Sequence, residues 1–167
     1  MLQKMEQGAE VLVRGYCTQD REGLEAMARE VVQGGAEFVF ETVEEVLAYW
    51  LGPRTHTFVL ELDGQLAGSY ALKPNQPGRG AHVANAGYMV ARAFRRRGLA
   101  ALMGEHSLNT ARALGFRSIQ FNMVVSTNEA AVRAWRHLGF DVVGQLPRVF
   151  RHPSQGLVDA LVMARDL

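Results

Sequence analysis

A single cysteine, Cys17, among 167 residues leaves the chain no intramolecular disulfide and no cysteine-rich metal cluster. That scarcity fits a reducing compartment, and Cys17 reads as a buried strand residue. No stretch approaches the roughly 18 uninterrupted apolar residues that a membrane span needs. The N-terminal Met1-Leu-Gln-Lys-Met-Glu-Gln-Gly8 carries no apolar signal core, so a cytoplasmic protein with no membrane partner is expected. Charge of one sign is missing as well. Lys and Arg number 18 against 17 Asp and Glu, a net +1, which provides no basic field for nucleic acid. There is no H-E-x-x-H, no paired carboxylate–histidine spacing, no repeat and no low-complexity tract, so no metal is expected. What remains is ordinary globular composition, 48% hydrophobic and 21% charged, which predicts one domain over residues 1–167 with a real core.

Against this plain background one stretch stands out, Val90-Ala-Arg-Ala-Phe-Arg-Arg-Arg-Gly-Leu-Ala100. A strand-like run ends there in a basic turn, and a long helical pattern begins. The first backbone N–H groups of a helix starting near Gly98 lack intrahelical partners, and the helix dipole adds partial positive charge at the same point. Phosphate fits such a place. Gly98 has no Cβ to obstruct close approach, and Arg95, Arg96 and Arg97 offer charge-assisted hydrogen bonds.

The order of elements is legible from periodicity and turn chemistry. Residues 11–17 read as a strand, followed by a helix from Thr18 through Leu24, Met27, Ala28 and Val31 that Gly34-Gly35 ends. Thr42 with Glu45 forms a capping box for a second helix, stopped at Gly52-Pro53. Residues 57–62 and 65–72 form a hairpin at Asp63-Gly64. Residues 81–90 are a strand leading into the arginine turn, and the helix from Gly98 runs to Leu114-Gly115. A strand at 119–125, a short helix from Asn128 to Leu138, and strands at 140–149 and 157–163 complete the chain. Early hairpins with one crossover helix imply an α/β (α+β) fold, a mixed and mostly antiparallel sheet of about seven strands with helices on both faces.

Arg95-x-x-Gly98-x-Ala100 resembles the R/Q-x-x-G-x-G/A signature with which the GNAT superfamily of acetyl-CoA-dependent N-acetyltransferases holds the coenzyme pyrophosphate. About thirty residues on, Asn128-Glu-Ala-Ala-Val-Arg-Ala-Trp-Arg-His-Leu-Gly-Phe140 is similar to the second ordered segment of that family. The resemblance covers nearly the whole chain, most clearly residues 55–140. It implies that the fourth and fifth strands, residues 81–90 and 119–125, splay apart and that acetyl-CoA lies in the opening. It further implies that the backbone of Met89, Val90 and Arg92 pairs with the pantetheine arm, an N–H near Val90 polarising the thioester carbonyl. Arg95, Arg97, Gly98, Leu99 and Ala100 would hold pyrophosphate, with Asn128 touching the coenzyme or only capping its helix. A homodimer is common in that family.

One departure matters for chemistry. Trp135 stands where many members carry a tyrosine that protonates the departing thiolate, and an indole N–H has no usable acidity. Water, a hydroxyl such as Tyr88 or Ser126, or no dedicated acid remain open. A thiol with a pKa near that of cysteine, about 8.5, leaves without much help, which favours the last. On the amine side His82, His106, Glu105 and Asp159 are the titratable candidates, without diagnostic spacing. Asn85 and Asn122 are polar positions in otherwise apolar strands, suited to orienting a substrate or a water, or to satisfying neighbouring backbone. With Trp135 they also resemble the branch acting on proline-like imino acids. The expected activity is acetyl transfer from acetyl-CoA to the amine of a small molecule, by direct attack in a ternary complex. The alternative is an acyl-CoA-binding sensor without efficient catalysis, which amine turnover distinguishes.

Overall fold

Thr42 opens the second helix by accepting the Glu45 amide on its Oγ1 at 3.2 Å, while the Glu45 carboxylate reaches back to the Thr42 amide. Two of the unpartnered donors at a helix start are thereby satisfied. Asp63 and Gly64 adopt φ of 50° and 76°, the positive pair that a tight hairpin turn requires. These local devices sit in a computed structural model that describes residues 2–4 and 8–167.

The strands are β1 (Leu2–Lys4), β2 (Glu10–Gly15), β3 (His56–Leu62), β4 (Gln65–Pro74), β5 (Val83–Val90), β6 (Ser118–Val125), β7 (Asp141–His152) and β8 (Gly156–Asp166). The helices are α1 (Arg21–Gly34), α2 (Val43–Trp50), α3 (Leu99–Ala113) and α4 (Glu129–His137). The sheet runs β1-β2-β3-β4-β5-β6-β8-β7, antiparallel throughout except for β5 beside β6. The seven expected strands and four helices occur in the expected order. The short β1 adds an eighth strand beyond the seven expected.

Apolar residues divide between the two faces of the sheet. Leu24, Met27, Ala28, Val31, Val46 and Trp50 of α1 and α2 pack on Ala71 and Met89. Leu99, Met103, Leu108, Val132 and Trp135 of α3 and α4 pack on Tyr70, Leu72, Ala84, Ile119 and Phe121. Each face buries the apolar stripe of a helix pair, the main source of stability. The two helix layers leave part of the α1/α2 side open over β6, where Asn122 is exposed.

Cys17 is exposed rather than buried. The chain leaves β2 at Gly15, and the Cys17 amide donates to the Asp20 carboxylate at 2.8 Å, so the residue belongs to a turn instead of the sheet. No helix among the described residues is long and apolar enough to cross a membrane.

Candidate active site

β5 and β6 pair at two positions only, Val83↔Ser118 and Ala84↔Ile119, and then part. β5 nevertheless stays in continuous register with β4, from Pro74↔Ala84 to Gly68↔Val90, so Gly87 introduces no bulge. The irregularity lies in β6, whose register with β8 shifts between Phe121 and Val124. Two hydrogen bonds fix which way the β5 amides point: Ala91 N donates to Ala67 O at 2.9 Å, and Asn75 N donates to Val83 O at 2.8 Å. Both belong to the odd-numbered pairs of an antiparallel ladder, so Val83, Asn85, Gly87 and Met89 face β4. The even-numbered Ala86, Tyr88 and Val90 then direct their N–H and C=O groups into the opening.

That alternation corrects part of the expected coenzyme wall. The Met89 backbone is opposite Ser69 on β4, and the Arg92 amide donates to the Glu30 carboxylate at 2.7 Å. Of the three residues grouped by resemblance, only Val90 presents its amide to the opening. Strand register, which no short motif encodes, decides this.

At the end of β5 the chain makes a turn, with Arg96 at φ 61° and Gly98 at φ 74°. A Cβ at Gly98 would meet nothing within 4 Å, so glycine serves the backbone angle and the open approach. The first α3 bond runs from Leu102 N to Gly98 O at 3.2 Å. The amides of residues 96–101 thus have no acceptor among the described residues, a concave row of donors at a helix N-terminus. Arg97 lies with its guanidinium 5.6 Å from the Phe94 ring centroid, and Arg95 pairs with Glu37 at 3.7 Å. Both side chains remain exposed, whereas Leu99 is buried and Ala100 half-buried.

Across the opening, Asn128 caps α4 by accepting the Ala131 amide at 3.2 Å. Its Nδ2 has no partner among the described residues, so capping leaves a donor free. Trp135 is packed in the core, with ring centroids 4.7 Å from Tyr88 and 4.9 Å from Phe121. The Tyr88 hydroxyl lies 2.7 Å from Oγ of the buried Ser107, directed toward α3, and burial raises its pKa. It is held away from the opening as a neutral phenol.

Of the titratable candidates His106, His82 and Glu105 lie elsewhere, whereas Asp159 lies beside the end of β6, where its carbonyl accepts the Ser126 amide at 3.0 Å. His106 Nδ1 is 2.8 Å from the Tyr70 hydroxyl on the α3 side, where burial lowers its pKa. His82 is exposed, with Nδ1 3.1 Å from the Arg79 carbonyl. Glu105 lines a surface hollow with Asn109, Arg112 and His137, at the end of α3 remote from Gly98. The Asp159 carboxylate accepts the Arg148 amide at 2.9 Å and the Gln145 side-chain amide at 2.6 Å, which lowers its pKa.

Beneath the opening on the α1/α2 side the residues are amides. Asn75 Oδ1 accepts from Asn122 Nδ2 at 2.7 Å and from Asn85 Nδ2 at 3.4 Å, while Tyr49 donates to Asn85 Oδ1. Gln120 donates to Asn122 Oδ1 at 3.0 Å. The structure thus joins Asn85 and Asn122, on separate strands, through Asn75, just past the end of β4. Pro153, at the β7–β8 turn, lies 3.3 Å from where a Cβ on Gly35 would stand. That contact carries the hairpin tip back to the end of α1, across the open face.

Comparison with known proteins agrees with this fold. The family model for the acetyltransferase (GNAT) family matches residues 24–140. The N-acetyltransferase aca1 of Schizosaccharomyces pombe is 32% identical over 111 residues, which make up 66% of this chain and 53% of that protein. The chain therefore spans about half the length of that relative. A solved GCN5-related N-acetyltransferase from Kribbella flavida superposes with a TM-score of 0.88 at 39% identity, covering 94% of this chain and 98% of that one. A phosphinothricin acetyltransferase from Sinorhizobium meliloti, solved with acetyl-CoA, shares the fold at TM-score 0.82 and 18% identity, covering 94% and 88%.

Proposed function

The chain belongs to the GNAT acetyltransferase family, and on that premise we propose that it transfers the acetyl group of acetyl-CoA to the amine of a small molecule, such as an amino or imino acid. The carrying observation is the opening between β5 and β6, lined by the outward N–H groups of Ala86, Tyr88 and Val90 beyond the two β6 pairings and continuous with the N–H row of residues 96–101, which finds no acceptor among the described residues. An acyl-CoA presents the complement, with amide groups along its pantetheine arm and anionic phosphates at the end of it. Arg97, Gly98, Leu99 and Ala100 hold the pyrophosphate, chiefly through backbone N–H groups, and Arg95, whose own amide donates to the Arg92 carbonyl, adds its guanidinium. Asn128 adds its free amide from the other wall, and the Val90 N–H polarises the thioester carbonyl.

Acetyl-CoA supplies an activated acyl thioester. The amine arrives from the α1/α2 side, over Asn85 and Asn122, and attacks the carbonyl carbon in a ternary complex. The C–N bond forms, the C–S bond breaks with coenzyme A leaving as the thiolate, and the nitrogen's surplus proton passes to water. Asn85 and Asn122 orient the acceptor or that water. An ammonium has no lone pair, so the acceptor must lose its proton before attack, and because amide side chains cannot accept it the proton goes to solvent. The expected pH profile of kcat/KM rises through neutral and mildly alkaline pH, tracking the pKa of the amine used. Two acceptors of different amine pKa give displaced profiles; identical profiles would instead require a general base in the protein.

The discriminating experiment is thiol release with acetyl-CoA and a panel of amino acids, imino acids and polyamines. Turnover of any of them establishes the transferase. Saturable acetyl-CoA binding with no turnover across the panel would favour an acyl-CoA sensor.

A further inference from the structure

On the face opened beside Asn85 and Asn122, Lys73 is a half-buried cation for which no ion pair occurs among the described residues. It stands opposite Asn85 in the β4–β5 register, and its Nζ lies 4.1 Å from the centroid of the Tyr49 ring. That ring is itself fixed, because Tyr49 donates its hydroxyl hydrogen to Asn85 Oδ1 and packs against Phe40 and Trp50. Burial raises the Tyr49 pKa, so the phenol stays neutral and supplies no counter-charge. The ammonium is therefore positioned by a cation–π contact and left without an anion.

The adjacent amides leave a matching donor. Asn75 Oδ1 is occupied twice, by Asn85 and by Asn122, whereas Asn75 Nδ2 has no partner among the described residues. One ammonium and one amide N–H, both without acceptors, lie beside the amides over which the acceptor approaches. A carboxylate supplies one negative charge and two acceptor oxygens, which is what this pair lacks. A phosphate dianion would ask for more positive charge than a single lysine gives.

We propose that Lys73 and Asn75 form a carboxylate subsite, so that the acceptor is an amine that also bears a carboxylate, held with that group at Lys73 and its amine toward the Val90 end of the opening. This rests on the transferase reading above and adds to it the class of acceptor and the residue that selects it. Tyr49, Asn85 and Asn122 act as positioning residues for the pair.

The test compares each amino or imino acid with its decarboxylated counterpart: lysine with cadaverine, arginine with agmatine, proline with pyrrolidine. Thiol release is followed at saturating acetyl-CoA for the wild type, Lys73→Met and Lys73→Arg. Methionine keeps an unbranched stem on the Tyr49 ring, and arginine keeps the charge. The wild type is expected to prefer the carboxylate member by about tenfold or more in kcat/KM, the scale of a lost charged hydrogen bond. Lys73→Met should abolish that preference through a raised acceptor KM, with the acetyl-CoA KM unchanged, and Lys73→Arg should restore part of it. A wild type that favours the decarboxylated amines, or a Lys73→Met protein with the preference intact, overturns the proposal.

Should none of these amines turn over, calorimetric titration of the same amino acids into the protein–CoA complex decides the matter. Binding lost in Lys73→Met supports the subsite, and no binding, or equal binding in both proteins, overturns it. Failure of the wild type to bind acetyl-CoA is a separate result and strikes the transferase reading instead.

Discussion

Ser69, fully buried, accepts the Trp50 indole N–H at 3.1 Å and donates to the Phe58 carbonyl at 2.8 Å. Ser69→Ala leaves that indole donor buried without a partner, an expected loss of about 1–3 kcal/mol in denaturant unfolding. Arg14 hydrogen-bonds the Asp20 carboxylate at 2.8 Å and holds its pKa down to about 2. A depressed carboxylate pKa contributes stability above the ordinary value near 3.8, and that contribution disappears as pH falls toward 2. The wild-type Tm should therefore fall between about pH 4 and pH 2 by more than that of Asp20→Asn, and parallel curves would contradict the assignment. At the site, Arg97→Glu should raise the acetyl-CoA KM several-fold with little change for the acceptor, while Asn122→Ala should do the reverse. Equal effects on both substrates would show that the two residues do not serve separate sites. Gly98 and Asn128 were legible as single letters because a turn glycine and a helix cap have local signatures. Lys73 and Asn75 were not, since a lysine and an asparagine before a turn look solvated until strand pairing sets them beside Asn85 and Asn122.

At the level of elements, the capping box of Thr42 and Glu45 and the hairpin at Asp63-Gly64 could be read from four-residue windows and were found in place. Thr42→Ala should cost about 1 kcal/mol in unfolding free energy, the usual worth of a helix cap. α2 carries Tyr49 and Trp50, so the same substitution should weaken acceptor binding more than acetyl-CoA binding, a difference that separate KM values would reveal. Strand ends were less legible than strand existence. β7 extends to His152 and β8 begins at Gly156, because cross-strand pairing continues past the point where apolar alternation fades. Amide direction along β5 was not legible at all. It follows from the register with β4, and it is why Val90 rather than Met89 faces the opening.

Over the whole molecule, one parallel pairing in an otherwise antiparallel sheet creates the site. β5 and β6 each lead into a helix whose N-terminus opens at the same end, Gly98 before α3 and Asn128 before α4. The N–H row before α3 and the Asn128 Nδ2, without partners among the described residues, therefore flank one cleft, and the order of elements along the chain already implied such a mixed sheet. Where the two strands separate depended on tertiary pairing, and the family resemblance supplied that expectation. The β7–β8 tip resting near Gly35 ties the far edge of the sheet to α1, so an acceptor entering over Asn122 meets a partly roofed face. Calorimetric titration of the purified protein with acetyl-CoA decides whether this cleft holds the coenzyme. Saturable binding at one site per chain is expected, weakened by at least several-fold in Arg97→Glu; no heat of binding to the folded wild type, or unchanged affinity in the variant, would rule it out.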